Sequence, residues 1–201
     1  MDSVRAECKR LGIRMYQGRG KSVRCGSSMV SGYFDETNRV LAFATKRNDW
    51  IEILSHESCH MDQWSEKARV WSQLGDAAYA FDQWLDGKDL PRRVSRKHAM
   101  AVLRMELDCE QRAVRQLTEH GLKFDRKRYV KKANAYLFLY HWLLETRKWP
   151  NKRSPYSDPV IVRRCSSRFH RSYARPPKGL MNLYNKRRAK MLTGASGATA
   201  G

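Results

Sequence analysis

Hydrophobic and polar positions change their spacing several times along the chain. In residues 30–45, "VSGYFDETNRVLAFAT", aromatic and β-branched residues flank the turn-forming "DETN", which predicts a β-hairpin. From Trp50 the spacing becomes helical. Ile53, Leu54, His56, Glu57, His60, Met61 and Trp64 recur at intervals of three and four, with Asn48 or Asp49 as the N-cap. A second helical pattern over 66–86 carries Val70, Leu74, Tyr79, Phe81 and Trp84 and stops at "DGKDLP". A third is predicted to start after Ser95 and end at Gly121, and a fourth covers 126–147. Residues 17–28, "QGRGKSVRCGSS", are expected to form a loop; their glycine spacing does not match a P-loop.

Beyond Trp149 the pattern breaks. Pro150, Pro155, Pro159, Pro176 and Pro177 separate short apolar pieces, and the end, "TGASGATAG", is small and uncharged. The order of hairpin followed by helices predicts an α+β fold. The expected organisation is a domain over 1–149, a basic proline-containing extension over 150–192 and a flexible tail over 193–201.

Composition narrows the class. Hydrophobic residues make up 41% of 201 residues, enough for a packed core and too many for a disordered chain. The most apolar run, "AYLFLYHWLL" (135–144), is too short to span a bilayer, so no membrane partner is expected. The first residues lack the apolar centre of a secretory signal, which predicts a cytoplasmic protein. Cysteines 8, 25, 59, 109 and 165 form no CxxC pair and are expected to be free thiols, Cys59 and Cys109 in the core. The net charge of +20 is unevenly placed. Residues 1–120 hold 20 Lys/Arg against 17 Asp/Glu, whereas residues 121–201 hold 20 against only Asp125, Glu145 and Asp158.

Chemistry concentrates in "SHESCH". On a helix, residues four apart share a face, so His56 and His60 can offer their imidazoles to one metal ion. Glu57 stands one step around, where a carboxylate can take a proton from the attacking water and later deliver it to a leaving amine. The competing explanation is a chance match on an ordinary buried helix. A catalytic zinc also needs a third protein ligand, and no histidine follows at metzincin spacing. "MELDCEQRAV" (105–114) places Glu106 and Glu110 four apart on one helical face, beside Leu103, Leu107, Val114 and Leu117. A solvated face shared with Arg104, Arg112 and Arg115 is the bland alternative, and His98 is a rival ligand.

His56, Glu57 and His60 match the zincin motif, and the Glu106–Glu110 pair resembles the ExxxD element of gluzincin peptidases, with Glu in place of the second Asp. The resemblance implies a zincin-like fold with an edge strand beside the active-site helix, and one catalytic Zn2+ held by His56, His60 and Glu106. It makes Glu57 the general base and Glu110 the support of a ligand histidine, in a zinc metallopeptidase acting on a peptide or protein substrate. With "KKANAYLFLYHWLLETRKW" and "PYSDP", the chain is also similar to small metallopeptidase-like proteins of tailed bacteriophages. That likeness implies a host-cell cytoplasmic or virion-associated setting. Tyr136 or Tyr140 is a candidate oxyanion donor.

The basic C-terminal part carries a second expectation. Arg163, Arg164, Arg168, Arg171 and Arg175 interleave with Phe169, His170 and Tyr173, and Lys186, Arg187, Arg188 and Lys190 form a compact cluster. Such a set can contact phosphates while its aromatics stack on bases, so nucleic acid or an acidic protein or virion assembly is the expected partner. The alternative to a peptidase is therefore a phage virion, structural or nucleic-acid-associated protein that retains a zincin core.

Overall fold

The computed structural model describes residues 1–150 and 153–192; the tail expected over 193–201 lies outside them. The fold is α+β. Two compact units arise, each from two stretches of chain: residues 1–73 with 108–124, and residues 74–107 with 125 onward. Among the described residues no helix is long and apolar enough to cross a membrane.

The first unit opens with α1 (Asp2–Arg10) and β1 (Arg14–Gly18). Residues 17–28 are not all loop: β2 (Val23–Cys25) and β3 (Ser28–Val30) pair antiparallel. That hairpin is too short to show a period, and it forms where Val23 is buried with Val40, Ala42 and Ala44. The hairpin expected over 30–45 is present as β4 (Gly32–Asp35) and β5 (Val40–Ala44), and β1 pairs parallel to β5 on its other side. Every residue of β5 is buried, because Val40, Ala42 and Ala44 face one apolar cluster and Leu41 and Phe43 the other. The second cluster adds Leu54 and Met61 from α2 (Trp50–Ser65), which fixes that helix against the sheet. Asp49 precedes α2 as expected, although its carboxylate binds the Arg47 guanidinium rather than capping the helix.

The single helix expected over 66–86 is two, α3 (Arg69–Ser72) and α4 (Ala77–Leu85). Gly75, at φ +47°, takes a left-handed conformation between them that ends helical continuity. Helix α5 (Arg92–Glu119) begins before the expected cap. Pro91 accepts from the Val94 and Ser95 amides, so Ser95 falls inside the helix with its hydroxyl on the Arg92 carbonyl.

In the second unit α6 (Arg126–Thr146) agrees with its expected range, capped by Asp125. Its buried face of Leu137, Phe138, Trp142 and Leu143 organises the core. The proline-rich region is more regular than its composition suggests. Asp158 caps α7 (Pro159–Arg164), where a proline at the first position costs no hydrogen bond, and α8 (Leu180–Lys186) and α9 (Arg188–Leu192) follow. Asn134 of α6 donates to the Ser166 and Arg168 carbonyls, and His141 Nε2 lies 2.8 Å from the Tyr173 carbonyl. These bonds hold residues 166–173 along α6.

Candidate metal centre

Helix α2 brings its two histidines together: His60 Nε2 lies 3.1 Å from His56 Nε2, with the rings edge to face. The opposite nitrogens have their own partners. His60 Nδ1 is 3.0 Å from Gln63 Oε1, and the Gln63 amide donates at 2.8 Å to Asp108 Oδ2, which fixes which end of the amide faces the ring. Asp108 is held in turn by the Arg112 guanidinium at 2.7 Å. His56 Nδ1 lies 3.4 Å from Glu110 Oε1.

These partners decide where the protons sit. An amide oxygen and a carboxylate both demand N–H on Nδ1, so each neutral ring presents its Nε2 lone pair. Two lone pairs facing at 3.1 Å repel unless a proton or a cation lies between them. Glu110 adds to the cation demand: it is 7% exposed, and its Oε2 has no hydrogen-bond partner among the described residues. The donor set therefore fits a cation.

His56, His60 and Cys109 form a group that can hold a metal ion, their ligand atoms all within 4.8 Å of one another. Cys109 was expected to be a plain core thiol, and its Sγ donates to the His56 carbonyl at 3.2 Å. It also lies 3.6 Å from His56 Nδ1, the nitrogen that faces Glu110. A metal on Nδ1 and Cys109 would displace the Glu110 contact. The facing Nε2 pair is the better donor arrangement.

Packing holds this geometry in place. Ser55 and Ser58 of α2 both donate to Gln116 Oε1 on α5, and the Gln116 amide donates to Asp62 at 2.7 Å. Burial pushes the Asp62 carboxyl up to about 6 against that hydrogen bond. Gly32 of β4 allows α2 to lie close. A Cβ there would stand 2.6 Å from Ile53 Cγ2 and 2.9 Å from Glu57 Cγ. Glu57 thus borders β4, and its charge also raises the Cys25 thiol, after burial and Asp35. Trp71, 6.2 Å from the His60 ring and 6.2 Å from Phe34, forms an aromatic wall.

Glu106 is buried on α5 one turn before Glu110, and it belongs to the second unit. There the Tyr136 hydroxyl bonds to it and lies 3.1 Å from the Tyr140 hydroxyl. Burial first, then the Glu106 charge, push both phenols well above their ordinary value. Its expected role as third ligand rests on the resemblance. Of the basic candidates, Arg163, Arg164, Arg168, Arg171, Arg175, Lys186, Arg188 and Lys190 are exposed, whereas the Arg187 guanidinium binds the buried Asp158 at 2.8 Å. The expected stacking face is not formed as read from the sequence. Tyr173 is 5% exposed with its hydroxyl on Asn134, and the His170 ring packs edge-on to Phe138.

Gln63 and Asp108 escaped the sequence reading. The available signal was the position of Gln63 three residues after His60 on the same helical face. Comparison with family models, curated proteins and solved structures gives no match to this chain.

Proposed function

We propose that the chain is a zincin-like metallopeptidase of the gluzincin type, related to small phage metallopeptidase-like proteins. The observation that carries this is the facing Nε2 pair, with both Nδ1 atoms turned toward oxygen partners. Zinc suits two imidazoles and a carboxylate, and when bound it would supply Lewis acidity toward a carbonyl and toward water.

The residues then divide the work. His56 and His60 offer Nε2, and the resemblance implies a carboxylate as third ligand. Glu110 orients His56, and Gln63, set by Asp108, orients His60. Glu57, beside the ligands, takes a proton from the attacking water and returns it to the leaving amine. Strand β4 suits an extended peptide. The Ala44 amide donates to the Ser31 carbonyl, so the alternation of an antiparallel ladder turns the backbone groups of Gly32 and Phe34 away from β5. No described strand pairs with that edge.

The test is Glu57→Gln against wild type, with zinc content and cleavage of an unstructured protein substrate measured on each. Retained zinc with hydrolysis lowered by about 10²–10⁴ supports the proposal. Wild-type protein that takes up no zinc, or a variant that cleaves as fast, removes it. A second reading, a nucleic-acid-associated or virion structural protein retaining the core, is favoured by the sparse acids after residue 120. Stoichiometric zinc without cleavage in wild type would select it.

A further inference from the structure

The second unit holds a groove of about 600 Å³ between α7 and α8. Arg163, Arg164 and Lys186 line it, with Asn182, Val160 and Leu183 between them. The three cations are exposed, and no acidic side chain pairs with any of them among the described residues. After Glu145 the sequence contains a single acid, Asp158. That carboxylate is fully buried and already bound to Arg187, so it cannot neutralise the groove. Lys131 of α6 adds charge nearby, its ammonium 3.4 Å from the Arg163 carbonyl. Three like charges gathered around one concavity add to a positive field that attracts an anion.

The chemistry of the lining selects the anion. Among the described residues no aromatic side chain lines the groove, so it offers no platform on which to stack a base. Among the described lining residues Val160 and Leu183 supply the apolar side chains, too little for the hydrophobic centre of a protein–protein interface. Arginine forks, a lysine and a neutral amide match phosphate oxygens, and a linear polyphosphate also gains from counterion release. We infer that the α7–α8 groove binds the phosphodiester backbone of nucleic acid, without reading sequence. This function is independent of the metal centre.

Fluorescence anisotropy of the full-length protein would test it, with labelled DNA of about 20 base pairs in two unrelated sequences, the matching single strands, and polyglutamate as competitor. Two variants remove equal charge: Arg163→Gln/Arg164→Gln/Lys186→Gln inside the groove, and Arg168→Gln/Arg171→Gln/Arg175→Gln outside it. The inference expects similar affinity for both sequences, in whichever strand form binds tighter. It also expects a Kd raised more than about tenfold by the groove variant, with the salt slope for duplex reduced by about 2–3. The outer variant should cost several-fold less. Equal losses from the two variants would show a general charge effect, and polyglutamate competing as well as DNA would show an acidic-protein site; either result overturns the inference.

Discussion

Helix α2 and the α7–α8 pair treat polar groups in opposite ways. Around α2 the polar atoms are buried and paired: His60 with Gln63, Gln63 with Asp108, Ser58 and Asp62 with Gln116. Around α7 and α8 the cations stand in solvent, with no acidic partner among the described residues apart from Asp158 for Arg187. Burying a polar group costs several kcal/mol unless it is hydrogen-bonded, so a buried network specifies its own geometry from within. Exposed charge costs little to keep and acquires its meaning from what it attracts. On our proposals, one region takes an ion and the other a polyanion.

The largest expected effect tests the exception in the basic region. Asp158→Ala leaves Arg187 mostly buried without its partner and also removes the α7 cap, which should cost about 3 kcal/mol in urea denaturation. A loss under about 0.5 kcal/mol would make that pair an ordinary surface contact and weaken the contrast. The same pair predicts a pH dependence. Burial raises the Asp158 carboxyl, but the Arg187 guanidinium and the Val160 and Ile161 amides outweigh it and hold it below the usual carboxylate range. Its stabilisation is therefore full above that usual range and disappears as pH falls through the lowered value; Asp158→Asn should lack this acid limb.

A smaller effect sharpens the buried side. Gln63→Leu frees the His60 tautomer while keeping volume, and should weaken zinc binding by about 10–100-fold in a chelator competition. Unchanged affinity would show that the Gln63–Asp108 chain does not orient the ligand. The smallest effect expected is from Cys109→Ala, whose zinc affinity should stay within about threefold of wild type because its thiol faces the Nδ1 side of His56. A loss above about tenfold would place Cys109 on the metal and discard the Nε2 arrangement.

Much of the frame was legible in the chain. The 30–45 hairpin and α6 announce themselves through turn residues, alternation and an Asp125 cap, all local signals. The start of α5 did not, because Ser95 resembles a cap and the Pro91 carbonyl does that work earlier. The β2–β3 hairpin was hidden by its length: Val23 becomes strand only with Val40 and Ala42 to pack against. In the candidate site, His56, Glu57 and His60 were visible because four residues make about one helical turn. Gln63 was not singled out, since its role depends on Asp108, 45 positions away.

By itself the sequence determined the α+β order, the histidine pair on one helical face and the concentration of positive charge after residue 120. These follow from backbone periodicity and composition, which need no distant partner. The tertiary structure alone decided which ring nitrogens face each other, that Tyr173 turns inward, and that Arg187 is spent on Asp158 while Arg163, Arg164 and Lys186 stay open around a groove. Each of those outcomes is a competition for hydrogen bonds and burial between residues far apart in the chain, and only the packed core settles it.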